Sequence, residues 1–258
     1  MDMDAFQLDL EYIYNLTGIA HFIITALSLF IALISYLFSR KSLKKNKAAE
    51  LAKYYIDNIL PKIDYISKVF NSSKLGALLR EIFKPEEILV FDYNEMITFL
   101  KDKYTEEDII NKINSIDPEH LIKVRLSAAK SSMERNEIIS SCVLIKGTED
   151  SAATIERNYL INDFTKLIME LLNELEWFSL HFTYKLADEK IVYQSLHQTF
   201  ISNVQTLYFF ISRINKSPSE KYYTNVIHLY RSWYDCKVRQ QKKQRELEKK
   251  LIRRGKPL

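Results

Sequence analysis

Apolar residues follow two different patterns along this chain. Residues 16–38 are apolar nearly all round, whereas from residue 48 onward apolar positions recur every three or four residues. The first pattern suits a segment with no aqueous side, and the second suits helices that bury one face. Residues 16–38 contain no Asp, Glu, Lys or Arg. As a helix they would run roughly 34 Å, enough to cross a ~30 Å hydrocarbon core with modest tilt. A cleaved secretory signal fits less well. The preceding flank is acidic, the run is long, and no small-x-small cleavage site follows it.

Beyond the apolar run, Ala48, Leu51, Ala52, Tyr55, Ile56, Ile59 and Leu60 form a helical stripe, and Ile63, Ile66, Val69 and Phe70 extend it. This predicts a stalk helix over 39–70, kinked at Pro61. Further helices are predicted near 75–84, 86–103, 106–114, 118–146, 149–186, 189–214 and 218–252, with 88–91 as an alternative short strand and 149–186 long enough to be two. Asp117-Pro118 places a cap before a proline, Ser217-Pro218-Ser219-Glu220 has capping-box spacing, Thr105 and Asp188 are further caps, and Gly147 is a stop. The clearest stripes are Leu167, Leu171, Leu175, Phe178, Phe182; then Val192, Leu196, Phe200, Val204, Leu207; then Tyr222, Val226, Tyr230, Trp233. Three such helices with short links predict a bundle. The many aromatics of the last third, Trp177 and Trp233 among them, read as its core.

Composition supports an all-α fold. Four glycines in 258 residues is far below the average share of ~7%, so tight turns are scarce and long helices favoured. Cys142 and Cys236 are too few for a disulfide framework or a zinc cluster and read as buried thiols. The net charge of +4 conceals segregation. Four acids lie in residues 1–11. Arg40, Lys41, Lys44, Lys45 and Lys47 follow the apolar run, and ten Lys or Arg stand against Glu246 and Glu248 in 237–256. With positive charge on one side only, the chain beyond Phe38 is expected in the cytoplasm. The expected layout is a short extracytoplasmic N-terminus (1–15), one transmembrane helix (16–38), a basic juxtamembrane stalk (39–70), a cytoplasmic helical domain (71–236) and a basic tail (237–258).

Within the apolar run, Thr17, His21, Thr25 and Ser28 stack on one helix face. Such residues let helices approach and hydrogen-bond in lipid, so this face is a candidate for self-association or for lining an aqueous path. Alternatively, His21 sits shallow enough to reach the headgroups. The basic tail is compatible with anionic lipid, nucleic acid or an acidic protein, or with plain solvation. It lacks the interleaved aromatics of single-strand binding.

Catalytic signatures are missing. There is no phosphate-binding glycine loop, no HExxH and no GxSxG. The remaining metal or acid–base constellation is Glu174, His181, Asp188 and His197, supported by nothing that fixes their register. No arginine has a histidine four to seven residues downstream, which weakens a helical ribonuclease of the HEPN type. Glu174 and Glu176, at i and i+2, point to different helix faces and are poorly placed to share a proton. No cofactor is expected.

The stretches Leu172-Asn173-Glu174-Leu175-Glu176-Trp177-Phe178, Leu186-Ala187-Asp188-Glu189-Lys190-Ile191-Val192-Tyr193 and Thr199-Phe200-Ile201 resemble a bacterial membrane-anchored helical family of unknown function. Residues 48–59 match its first cytoplasmic helix. Leu207-Tyr208-Phe209-Phe210-Ile211 and residues 222–231 are similar to putative phage abortive-infection proteins. The resemblance implies a bacterial inner-membrane protein from defence-associated gene neighbourhoods and supplies no catalytic residue. The leading expectation is a membrane-anchored sensor or effector in anti-phage defence that perturbs the membrane on self-association. The alternatives are a non-enzymatic scaffold for a cytoplasmic protein partner, and a membrane-tethered nuclease.

Overall fold

The computed structural model describes residues 3–84, 86–101, 103–128, 151–217 and 219–253, with side chains outside 3–20, 23, 127–128, 151–157 and 251–253. Every regular element among them is helical: α1 (Met3–Tyr54), a π turn (Tyr55–Ile59), α2 (Leu60–Ser72), α3 (Leu75–Ile82), α4 (Tyr93–Leu100), α5 (Glu106–Asn114), α6 (Pro118–Ala128), α7 (Ser151–Thr183), α8 (Glu189–Thr206), α9 (Tyr208–Ile214) and α10 (Thr224–Arg253). The chain divides into a unit up to Lys47 and a compact unit from Ala48.

In the first unit, α1 is long and apolar enough to span a membrane. Every large apolar side chain described between Phe22 and Phe38 is exposed, from 37% at Ile34 to 75% at Phe22. Soluble monomers rarely expose so continuous an apolar surface.

The compact unit starts inside the segment expected as a stalk. Ala48, Leu51, Tyr55 and Ile59 are fully buried, so this stripe is core. Ile56 departs from the stripe and is half exposed. The distortion expected at Pro61 falls one turn earlier, as the π turn, where the Leu60 N–H donates to the Tyr55 carbonyl. Proline has no N–H and its ring crowds the preceding turn, and one wide turn relieves that crowding.

The bundle is ordered by aromatic and ionic contacts. Phe164 of α7 meets Tyr65 and Phe70, each at 6.1 Å, while further along α7 Glu174 binds Lys62 at 2.6 Å and Phe178 meets Tyr55 at 5.0 Å. α7 therefore runs antiparallel to the π turn and α2. α10 runs parallel to α7: Tyr223 bonds Asn173, Asn225 and Val226 bond Glu176, and Trp233 meets Phe182 at 6.1 Å. Trp233 is fully buried against Phe182, Tyr193 and Phe200, and its indole N–H donates to Glu189 at 2.8 Å. The predicted aromatic core is present, except that Trp177, Tyr184 and Tyr222 are exposed.

Several boundaries differ from the pattern-based expectation. The 86–103 helix shrinks to α4, and 88–91 form a loop and not a strand, because Asp92 caps α4 through the Glu95 N–H. The 189–214 helix breaks at Leu207, after the Thr206 hydroxyl turns back onto the Ser202 carbonyl. The capping box at 217–220 starts no helix. Asn215 instead holds both backbone groups of Tyr222 in a loop, and α10 begins at Thr224. Asp117, Thr105 and Asp188 cap as predicted, Thr105 in a reciprocal box with Asp108. Gly147, Cys142 and the end of the 118–146 helix lie outside the described residues. Cys236 is a half-buried free thiol.

Candidate functional site

Three groups of residues were candidates from sequence, and the structure treats them differently. In α1, the Thr25 and Ser28 hydroxyls donate to the backbone carbonyls of His21 and Ile24, at 2.9 and 2.8 Å. Each is satisfied within its own helix. His21 is exposed, and the Thr17 side chain lies outside the described residues. Among the basic residues that follow, Arg40, Lys41 and Lys45 are exposed, and Lys44 and Lys47 are half-buried.

The four residues proposed as a bundle site each hold a structural position. Glu174 pairs with Lys62. The Nδ1 of His181 bonds the Trp177 carbonyl at 2.9 Å, with its ring against the Trp177 indole. Asp188 caps α8 through the Lys190 N–H. The Nδ1 of His197 bonds the Tyr193 carbonyl at 2.7 Å, and its ring stacks on Tyr193. Among the described residues, no group of three or more His, Cys, Asp or Glu is placed to hold a metal ion. Glu174 and Glu176 face different neighbours, as their spacing predicted: Glu176 accepts from the Asn225 and Val226 N–H groups and the Asn225 amide.

A polar groove of about 450 Å³ lies beside the π turn, lined by Asp57, Lys62, Tyr65, Arg125, Asp163 and Glu170 among others. Two of its cations are held in ion pairs. Lys62 pairs with Glu174, and Arg125 with Asp163 at 2.8 Å. Burial pushes the Tyr65 phenol up to about 12; Arg125 lowers it and Asp163 raises it again.

A densely bonded polar constellation lies outside these three groups. One carboxylate, Glu95, accepts the N–H groups of Leu89, Val90 and Phe91 at 2.7, 2.7 and 2.8 Å, and the Tyr208 hydroxyl at 2.8 Å. Arg231 donates to the carbonyls of Leu89 and Val90, and Asn215 to that of Phe91. Phe91 is fully buried in the left-handed region, φ 57°, a costly state for an aromatic residue. The clamp from α4, α9, α10 and Asn215 enforces that state and presents Leu89 and Val90 outward, 66% and 38% exposed. The Asp92-to-Glu95 spacing is the sequence signal for it. However, the carboxylate reaches past the cap to three earlier amides, which spacing does not reveal.

No family model matches the chain, and no curated protein or solved structure matches it.

Proposed function

We propose that this chain is a membrane-anchored sensor or effector that acts by binding and association and not by catalysis. Its N-terminus lies outside the bilayer and the unit from Ala48 lies in the cytoplasm of a bacterial cell. The observation that carries the reading is the exposed apolar surface between Phe22 and Phe38, followed at once by Arg40, Lys41, Lys44, Lys45 and Lys47. The bonds of His181 and His197 to carbonyls of their own helices favour a binding role over a nuclease.

The resemblance read from 207–211 and 222–231 supports a role in anti-phage defence, through membrane perturbation when α1 helices associate. The test is phage plating on cells that carry the gene and its neighbours, with a membrane-potential dye read during infection. Reduced plating with depolarisation supports the effector. Unchanged plating and potential across a broad phage panel contradict it. A second reading, a scaffold for a cytoplasmic protein, is favoured by the clamped and exposed Leu89 and Val90. It predicts that Leu89→Asp with Val90→Asp releases a partner that the wild-type chain retains.

A further inference from the structure

We infer that the Ala48 end of the compact unit is a lipid-binding face, where the basic half of α10 and the turn after α7 contact anionic headgroups. This rests on the membrane-anchored reading and adds a second, electrostatic contact to the anchor.

The packing order brings three features to one end of the unit. Ala48 is its first residue, seven positions before Tyr55. α7 runs antiparallel to that segment, so beyond the contact of Phe178 with Tyr55 it ends, at Thr183, on the Ala48 side. α10 runs parallel to α7, so beyond Trp233 it continues out of the same end. Its last twenty residues add roughly 30 Å of helix.

The chemistry of this end matches an anionic bilayer surface. Between residues 237 and 250, α10 carries seven Lys or Arg against Glu246 and Glu248. Lys242, Lys243, Arg245, Lys249 and Lys250 are exposed, and Glu248 already accepts from Gln244. The turn after α7 is closed by the Leu186 N–H to the His181 carbonyl and the Lys185 N–H to the Phe182 carbonyl, with Lys185 left-handed at φ 56°. In that motif the residue after the left-handed one usually packs back on the helix. Here it is Leu186, and it is 51% exposed, beside Tyr184 at 66% and Ile191 at 39%. Lys185 and Lys190 flank them, while Asp188 and Glu189 are engaged by the Lys190 N–H and the Trp233 indole. Tyrosine, leucine and lysine exposed together suit the headgroup boundary, where rings and aliphatic stems bury and ammonium groups meet phosphate.

Connectivity adds the proximity. Nine residues separate Phe38 from Ala48, a tether of at most ~35 Å even when fully extended. A basic face tethered to a membrane anchor gains affinity from effective concentration. Lipid is favoured over nucleic acid because no aromatic residue interleaves with the basic residues of 237–253.

The test uses the full-length chain in lipid nanodiscs, of phosphatidylcholine alone or with phosphatidylglycerol, read by amide hydrogen exchange. The expected result is exchange slowed about tenfold in 184–191 and 237–250 in the anionic discs only. High salt, or the variant K242E/K243E/K249E/K250E, should abolish the slowing while exchange within α7 stays unchanged. Equal exchange in both discs overturns the inference and leaves the anchor standing. Slowing that appears only with an added oligonucleotide also overturns it and assigns the basic helix to nucleic acid. A chain that stays soluble and enters neither disc overturns the anchored reading and this inference together.

Discussion

Glu95 shows how much one side chain can determine. Its carboxylate replaces water for three consecutive amides and one phenol, and it is the reason that Phe91 can be held at positive φ. Removing it leaves two partly buried donors, the Phe91 N–H and the Tyr208 hydroxyl, unpaired. Glu95→Ala should therefore destabilise the fold by about 2–4 kcal/mol in chemical denaturation, well beyond an ordinary surface substitution. Titration acts at the same scale. Burial raises the phenols of Tyr55, Tyr65, Tyr208 and Tyr230 above their ordinary value of 10.0, Tyr65 and Tyr230 to about 12. A raised pKa in the folded state means stability fully present below pH 10 and lost as pH rises through the folded values. Loss of helicity should thus accompany the last part of the rise in tyrosinate absorbance above pH 10; ionisation of all 16 tyrosines with helicity intact would contradict this. Glu106 has the opposite sign. Burial raises it, but hydrogen bonds from Arg213 and Tyr93 and the charges of Lys216 and Arg213 outweigh that and hold it below its ordinary 4.5. Its contribution is present above pH 4.5 and fades as pH falls through the lower folded value.

At the scale of elements, much was legible because helix periodicity and cap chemistry are local. The stripes on α7 and α8 are buried nearly as the pattern predicts, and Asp117, Thr105 and Asp188 start helices where their types prescribe. What was illegible depends on distant partners. α10 starts at Thr224 because Glu176, on another helix, caps it at Asn225 and Val226, and because Asn215 occupies Tyr222. No spacing within 217–224 encodes either partner. Glu176→Ala should accordingly speed amide exchange in the first turn of α10 and leave α8 unaffected. Likewise, His181 and His197 looked free to meet across a turn. Each instead bonds a carbonyl of its own helix. In α1, the Thr25 and Ser28 hydroxyls are satisfied internally, so a helix partner would gain close packing more than new hydrogen bonds. His21→Leu with Thr25→Leu should weaken self-association in bilayers by roughly threefold to tenfold, measured by energy transfer between labelled chains. No change would remove this face from the proposal.

At the scale of the whole molecule, labour is divided along the chain. Under the proposed function the apolar helix provides location, and the bundle built around Trp233 and an aromatic core provides the body that carries the proposed binding surfaces, Leu89 with Val90 and the basic end of α10. The measurement that tests this most directly is trypsin access to the full-length chain in inverted and right-side-out vesicles, after alkaline carbonate washing. The account predicts a chain that remains with the membrane and whose Lys and Arg residues from 40 onward are cleaved only where the cytoplasmic side faces out. A chain released by carbonate, or one cleaved at those residues from the outer side, would contradict it.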